Sequence, residues 1–202
     1  MKEKEHILFS EVVKVLDGKY LDMSYHLARM DKTMHAFFNT SIHIELREED
    51  IPKELQLGLT KCRILYSCDD IKIEYERYNF KGIKTLKLVK DNAINYAYKY
   101  ANRGRFDHLL DKKGECDDIL IIKNGLITDT SFTNIVLENE DGLFTPTSYL
   151  LEGTKRRALL ETGRIKETIV KPEDLGNYSK LYLINAMITL EDNISIPTSS
   201  VI

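Results

Sequence analysis

Hydrophobic and polar residues alternate along much of the chain in the way typical of β-strands, and turn-forming pairs separate the alternating runs. These pairs are Asp17-Gly18, Asp69-Asp70, Asn124-Gly125 and Asp141-Gly142. Asp-Gly and Asn-Gly favour two-residue hairpin turns because these residues tolerate positive φ. The pattern predicts a hairpin around each of the first two pairs, and the order strand, turn, strand, strand over residues 117–146. Residues 164–197 predict a strand, a polar helical or turn segment, a buried strand and a closing extended segment.

Two other segments carry apolar residues at helical spacing. The stripe of the first lies within residues 24–40 and consists of Leu27, Met30, Met34, Phe37 and Phe38. This spacing predicts a helix for which Ser24 is an available N-cap. Arg29 lies roughly 130° around the helix from the centre of the stripe, so it is not directed at the core face.

The second helical segment covers residues 85–104. Its apolar positions are Leu86, Val89, Ala93, Tyr96, Ala97 and Tyr100. We expect a helix that ends at Gly104, after Arg103, with Lys84 just before its first turn. A short helix is also predicted over residues 51–56, after an acidic run.

Residues 150–163 predict a third helix, which begins after a turn at Gly153 and has three cations at positions 155–157. Cations in the first turn oppose the helix dipole, and each costs a few tenths of a kcal/mol. One explanation is a bound phosphate, since backbone N–H groups at a helix start attract anions. The alternative is that the cations extend into solvent or pair with Glu152 and Glu161, which costs little on a screened surface.

Composition limits the classes of function. The chain has 202 residues, of which 43% are hydrophobic and 30% charged, as in ordinary soluble globular proteins. A net charge of −3 gives no general attraction for nucleic acid, so any anion site must be local. No apolar run approaches the roughly 20 residues of a membrane span, and residues 1–15 lack the apolar core of a signal peptide. We therefore expect a cytoplasmic protein without membrane or nucleic-acid partners.

Cysteine and histidine spacing suggests neither a disulfide framework nor a metal site. The three cysteines lack a Cys-x-x-Cys pair and fit reduced, inert thiols. The five histidines show no metal-ligand spacing, so no metal is expected. His26 and His35 lie on opposite sides of the first predicted helix and are expected to be structural.

A Gly-containing connector at residues 80–83 is the best domain boundary. It divides the chain into a small N-terminal α/β lobe, residues 1–80, and a larger C-terminal α/β lobe, residues 81–202. A cleft between two such lobes is a favoured place for a ligand.

Three polar residues could carry chemistry, and each has a second explanation. Lys84 could supply a Schiff-base amine, although a lone lysine is usually solvated. Asp129 could hold a protonated ring nitrogen, or it could cap a turn. Asn185 lies in an apolar strand and must find partners, so it ends that strand at a loop or at a ligand.

In their order along the chain, five stretches resemble the fold-type IV family of pyridoxal 5'-phosphate (PLP) enzymes. The family includes branched-chain and D-amino acid aminotransferases and aminodeoxychorismate lyase. The stretches are HLARM with Arg29, GIKTLK with Lys84, NGLITDTSFTNIV with Asp129 and Asn134, LFTPTSYLLEGTKR with Gly153 and Thr154, and LINAM with Asn185. The resemblance runs from about Phe9 to Met187, and five ordered matches are more specific than any one of them.

The resemblance implies a two-lobed α/β structure of the D-amino acid aminotransferase type, with PLP as cofactor. Lys84 would form the Schiff base with PLP and move protons between cofactor and substrate. Arg29 would bind the phosphate, and Asp129 would pair with the ring nitrogen and keep it protonated. Gly153 would make the turn of a phosphate cradle whose other donors are main-chain N–H groups. These groups belong to Thr154, Lys155, Asn185 and Ala186.

The resemblance also implies a homodimer that acts on a small amine or amino acid. Members of the family usually have Glu in place of Asp129, and the aminotransferases often have Tyr in place of Val89. Val89 and the INAM stretch look more like the lyase branch, so we expect an aminodeoxychorismate lyase-like enzyme, with a branched-chain or D-amino acid transaminase as the alternative. A shortened first lobe and Asp129 leave a third interpretation, a non-catalytic protein that keeps the PLP fold.

Overall fold

The computed structural model describes residues 7–202, which divide into two compact units. The first unit runs to Phe80 and also contains Tyr98–Asn102, and the second comprises Lys81–Ala97 and Arg103–Ile202. The short later segment belongs to the first unit because its backbone pairs with residues 8–10 through two hydrogen bonds of 2.8 Å. His6 and the first residues of the N-terminal stretch considered as a signal peptide lie outside the described residues.

The first unit contains an antiparallel sheet and one α-helix. Its elements are β1 (Phe9–Leu16), β2 (Lys19–Tyr20), α1 (Met23–Phe38), β3 (Leu59–Tyr66) and β4 (Ile71–Arg77). The strands lie in the order β2-β1-β3-β4, and all three neighbouring pairs are antiparallel. Both predicted hairpins are confirmed. Asp17 and Gly18 take φ values of 48° and 78°, as a two-residue hairpin turn requires.

The apolar stripe of α1 packs on this sheet. The residues buried in their common core include Phe9, Val13, Met30, Met34 and Ile64, and Phe37 and Phe38 pack partly buried against them. Burial of these large side chains removes apolar surface from water, which is the main force that holds α1 on the sheet.

Two local predictions for the first unit are wrong. Asp22, with φ of 57°, occupies the N-cap of α1 without a side-chain cap bond, and Ser24 lies inside the first turn. The short helix predicted over residues 51–56 is reduced to one 3-10 turn, Lys53–Leu55, and a second 3-10 turn that was not predicted, Glu48–Asp50, lies before it. Pro52 separates these turns, because proline restricts the residue before it to extended backbone.

A second, polar stripe of α1 also faces β1. Glu11 is fully buried, and its carboxylate accepts hydrogen bonds from Arg29 Nε (2.8 Å) and Nη2 (2.7 Å), while His26 Nδ1 lies 2.8 Å away. Burial alone would raise the pKa of Glu11, but Arg29 and His26 outweigh it and lower that pKa to about 2. Arg29 thus turns away from the apolar stripe, as its helical angle predicts, and binds a buried acid. His35, on the opposite side of α1, is exposed.

The second unit contains two sheets and two α-helices. Its strands are β5 (Leu86–Lys90), β6 (Asp118–Lys123), β7 (Leu126–Thr130), β8 (Asn134–Asn139), β9 (Gly142–Pro146), β10 (Lys166–Thr168), β11 (Lys180–Ile184) and β12 (Ser195–Pro197), and its helices are α2 (Gly104–Leu110) and α3 (Thr154–Glu161). One sheet has the order β5-β6-β7 and the other β10-β9-β8-β11-β12. The predicted strand, turn, strand, strand over residues 117–146 is confirmed as β6, β7 and β8, and a fourth strand, β9, follows the turn at Asp141-Gly142. Among residues 7–202, no helix combines the length and apolar character that crossing a bilayer requires.

The predicted helix over residues 85–104 is wrong. Its first part is β5, which pairs in parallel with β6 from Leu86 beside Asp118 to Lys90 beside Ile122. Because β6 is buried along nearly its whole length, pairing with it outweighs the local helical spacing. The helix α2 begins at Gly104, where the predicted helix ended. Lys84 therefore precedes a strand.

We expect Glu11→Gln to lower the free energy of unfolding at neutral pH by about 3 kcal/mol, because it leaves the largely buried guanidinium of Arg29 without its countercharge. The folded-state pKa of Glu11 lies below its usual value, so its contribution is present above about pH 4.5 and is lost as the pH falls towards about 2. Urea unfolding at a series of pH values should show the deficit of the variant shrinking over that interval.

Glu76→Gln is the matched control, since Glu76 pairs with Lys61 on the surface of the same sheet. Its cost should stay below about 1 kcal/mol. A Glu11→Gln deficit that does not change across the acid range would contradict the ion-pair interpretation.

Candidate functional site

The start of α3 provides a group of backbone donors. Gly153 is its N-cap, and the first intrahelical hydrogen bond runs 2.9 Å from the Arg157 N–H to the Gly153 carbonyl. An α-helix directs the preceding N–H groups out of its end, where they and the dipole attract an anion. Thr154 and Lys155, both predicted donors, occupy these first positions, with Thr154 buried and Lys155 half-buried.

Gly153 is required by packing. Its φ of −69° and ψ of 140° suit any residue, but a Cβ added there would lie 1.9 Å from Asn134 Oδ1 and 3.1 Å from Asn134 Cγ. No side chain fits such a gap without moving Asn134. The backbone before α3 therefore lies directly against the first residue of β8.

Asn134 connects this backbone to Asp129. Its Nδ2 donates to Asp129 Oδ1 (2.8 Å) and to the carbonyl of Leu151 (3.0 Å). Asp129 Oδ2 accepts from the N–H groups of Leu150 (2.9 Å) and Leu151 (3.0 Å). Asp129 thus holds the distant loop before α3, whereas the turn that follows it is bonded by Thr130 Oγ1, so the alternative that Asp129 caps a turn is wrong.

Burial and hydrogen bonding act on the pKa of Asp129 in opposite directions. It is 6% exposed, and burial raises its pKa to about 6 although the Leu151 N–H, Asn134, the Leu150 N–H and the charge of Arg156 all act to lower it. Asp129 lies in β7, and the pairing register of β6 with β7 shifts between Leu120 and Ile122. A β-bulge at such a shift changes the direction of nearby side chains. A cationic group at the carboxylate would favour its ionised form.

Lys84 is held through its main chain. Asp117 Oδ2 accepts from the N–H groups of Lys84 (2.8 Å) and Thr85 (3.1 Å) and from Thr85 Oγ1 (3.2 Å). These bonds, that of Lys84 first, hold the pKa of Asp117 below its usual value. The side chain of Lys84 is exposed. In the structure from residue 7 onwards, no hydrogen bond joins it to Asp129 or Asn134, although β5 and β7 belong to one sheet.

Asn185 closes a turn after β11. Its Oδ1 accepts from the N–H groups of Met187 (2.8 Å) and Ile188 (3.0 Å), and its own N–H donates to the Ile188 carbonyl (3.0 Å). Its Nδ2 lies 3.4 Å from the Phe132 carbonyl, in the turn before β8. Asn185 therefore ends its strand at a loop, and the N–H of Ala186 takes no part in these turn bonds.

Two of the three cations at the start of α3 bind groups of the chain on different sides of the helix. Arg156 is buried and donates through Nη2 to the Pro146 carbonyl (3.0 Å) and to Glu167 Oε1. Arg157 pairs with Glu161 one turn later (2.8 Å). For Arg157 the alternative explanation, pairing with Glu161, is confirmed, whereas Arg156 neither extends into solvent nor pairs with Glu152 or Glu161.

Sequence reasoning gave no role to Asn134 beyond its place in a motif, and it missed Asp118. Asp118 is 2% exposed, and neither of its carboxyl oxygens finds a hydrogen-bond partner within the described part of the chain. Burial raises its pKa despite the nearby Ser131.

Among the predicted site residues, Asp129, Gly153 and Thr154 lie together, whereas Arg29 belongs to the first unit and its phosphate role stays a prediction.

The chain is similar to proteins of a known family. A model of the amino-transferase class IV family matches residues 8–190. An uncharacterized protein of Haemophilus influenzae is 33% identical over 180 residues, which cover 88% of this chain and 96% of that protein.

Solved structures with this fold include the following two. A Haemophilus somnus protein provisionally named a 4-amino-4-deoxychorismate lyase is 32% identical, with a TM-score of 0.79 over 91% of this chain and 98% of that one. The branched-chain amino acid aminotransferase of Escherichia coli is 17% identical, with a TM-score of 0.69 over 96% of this chain and 76% of that one, which shows the fold alone. These matches confirm the predicted fold class.

We expect Gly153→Ala to lower the free energy of unfolding by about 2 kcal/mol, because the added Cβ must displace Asn134. Gly176→Ala is the control, since a Cβ there meets no atom within 4 Å. In an Asn134→Ala background the obstructing oxygen is gone, so Gly153→Ala should cost less than half as much in urea unfolding. An equal cost in both backgrounds would show that Asn134 is not the obstacle.

Proposed function

The chain belongs to the amino-transferase class IV family, and we propose that it is a PLP-dependent enzyme acting on a small amine or amino acid. The observation that carries this proposal is the contact between Gly153 and Asn134, the residue that also binds Asp129. One side-chain amide thereby joins a helix start suited to a phosphate to a buried carboxylate suited to a ring nitrogen.

The residues of the second unit fit PLP in three respects. The start of α3 offers N–H groups and the positive end of a dipole to the phosphate. Asp129 Oδ1 retains acceptor capacity beyond its bond to Asn134, and this capacity suits a ring N–H. Lys84 offers an exposed amine on a main chain that Asp117 fixes. Arg29 stays the predicted side-chain ligand of the phosphate.

The chain's own groups divide the chemistry between them. PLP, when bound, withdraws electrons from the substrate bond that breaks. Lys84 Nζ would attach the cofactor and, once a substrate amine has displaced it, take and return the proton of the substrate carbon. Asp129 would accept a hydrogen bond from the ring N–H and so keep that proton on the ring nitrogen. Asn134 and the N–H groups of the loop before α3 would keep that carboxylate from rotating.

Within this class of enzyme, we favour an aminodeoxychorismate lyase-like reaction over a transamination. The support is the INAM stretch, the residue Val89, and the provisional name of the Haemophilus somnus protein. Val89 lies within β5 and is 6% exposed. Because it is a valine and not the tyrosine frequent in the aminotransferases, this position offers no hydroxyl to a substrate. The homodimer stays a prediction from the resemblance, and the cytoplasmic location stays a prediction from the sequence composition.

We expect the purified protein to take up PLP with a new visible absorbance band, which borohydride converts into permanent attachment at Lys84. Lys84→Ala should abolish the band, because it removes the attaching amine, whereas Lys87→Ala, three residues along the same segment, should keep it. Given aminodeoxychorismate, the loaded protein should release pyruvate, and formation of a keto acid from amino donors instead would favour the transaminase. A protein that takes up no PLP would exclude both.

Thr154→Pro tests whether the backbone binds the phosphate. Proline suits the first position of a helix, and the extended backbone of Gly153 suits the residue before proline. The variant thus loses one N–H and the threonine side chain, and Thr154→Ala accounts for the latter. We expect Thr154→Pro to weaken PLP binding about tenfold in equilibrium dialysis. If Arg157→Ala weakened it more, the cradle would be rejected.

A further inference from the structure

Arg156 is a buried cation that the proposed chemistry does not use. Its side chain is 3% exposed, and its Nε has no hydrogen-bond partner among residues 7–202. Removal of a guanidinium from water is costly, and hydrophobic replacements of buried ion pairs are often no less stable. Stability alone therefore does not account for a charged residue at this position.

The contacts of Arg156 lie in the loop before α3 and in the two strands next to it, β9 and β10. Nη2 binds the carbonyl of Pro146, the last residue of β9, and Glu167 in the neighbouring strand β10. The guanidinium carbon lies 4.3 Å from the centre of the Tyr149 ring, which is in the loop itself. A planar guanidinium makes both contacts at once, through its edge and through its face, and an ammonium group cannot.

The same loop supplies two of the three donors to Asp129. The N–H groups of Leu150 and Leu151 both bind Asp129 Oδ2, and they follow Tyr149 directly. Arg156 thus holds the loop at Pro146 and Tyr149, and the loop in turn holds the carboxylate. The charge of Arg156 also lowers the pKa of Asp129 against the effect of burial.

We propose that Arg156 is a positioning residue for Asp129: it fixes the loop between β9 and α3 so that the carboxylate is directed at the ring nitrogen of the cofactor. This inference rests on the proposed function. In this proposal the orientation of Asp129 depends on two contacts of one guanidinium, the hydrogen bonds of its edge and the packing of its face on Tyr149.

The test compares PLP with an analogue in which carbon replaces the ring nitrogen. A less stable protein or a damaged phosphate site weakens both ligands equally, so the ratio of the two affinities reports the contact with Asp129. The wild-type protein should prefer PLP about tenfold, as expected for one charge-assisted hydrogen bond. Arg156→Met and Arg156→Lys should both reduce that preference to within about twofold, because neither keeps the planar fork.

Arg157→Ala is the matched control, because Arg157 is the adjacent arginine of α3 and pairs with Glu161 on the surface. It should keep the wild-type preference. If Arg156→Met does not fold, Tyr149→Leu replaces it in the test. This variant removes the ring that packs on the guanidinium, and Tyr149 is 38% exposed, so its loss should disturb the core less. A folded Tyr149→Leu protein should lose most of the preference.

Three results would overturn the proposal. An unchanged preference in Arg156→Met or in folded Tyr149→Leu would show that Asp129 is oriented without Arg156. A full preference in Arg156→Lys would show that charge alone suffices. Equal wild-type affinity for both ligands would show that Asp129 does not contact the ring nitrogen. Failure of the wild-type protein to bind PLP would instead refute the proposed function, and this inference with it.

Discussion

The candidate site of the second unit depends on the side chain of Asn134. Its nitrogen binds Asp129 and the Leu151 carbonyl, while its oxygen lies where a Cβ of residue 153 would be. Only a neutral side chain with a donor suits this place. A carboxylate there would repel Asp129, and an aliphatic side chain would leave one oxygen of a buried acid without its donor. The end of β7, the loop after β9 and the start of α3 are therefore held together by one amide.

The hairpins of the fold were predictable because their turns act locally. Asp17-Gly18 and Asn124-Gly125 all take positive φ, between 48° and 80°, and such pairs do so with little help from the rest of the chain. The segment at residues 85–104 was not predictable in this way. Its apolar positions suit a helix, but the pairing of β5 with β6 joins residues about 32 positions apart. Local spacing contains no information about that partner.

The candidate site shows the same limit. The resemblance offers Lys84, Asp129 and Gly153 as candidates, whereas the contacts of Asn134 and Arg156 join segments that only the fold brings together. Three cations in a row look alike in sequence. Successive residues of a helix differ in direction by about 100°, so Arg156 turns inward onto Tyr149 while Arg157 meets Glu161 on the surface.

Three buried acids, Glu11, Asp118 and Asp129, differ in their hydrogen-bond partners and in the direction of their pKa shifts, and this difference decides which of them suits a ligand. Glu11 has its countercharge built in, as Arg29 binds it through two nitrogens, and its pKa falls to about 2. Asp118 has no hydrogen-bond partner in the described structure, and burial raises its pKa, which favours the neutral acid. Asp129 lies between these cases, with three oriented N–H donors but no ion pair within the described residues, and its pKa is about 6. Oriented donors fix the direction of the carboxylate, and Arg156, without binding it directly, is a cation that lowers its pKa. A protonated ring nitrogen would add a cation in direct contact and favour the ionised form, which is why this acid and neither of the others is the candidate ligand.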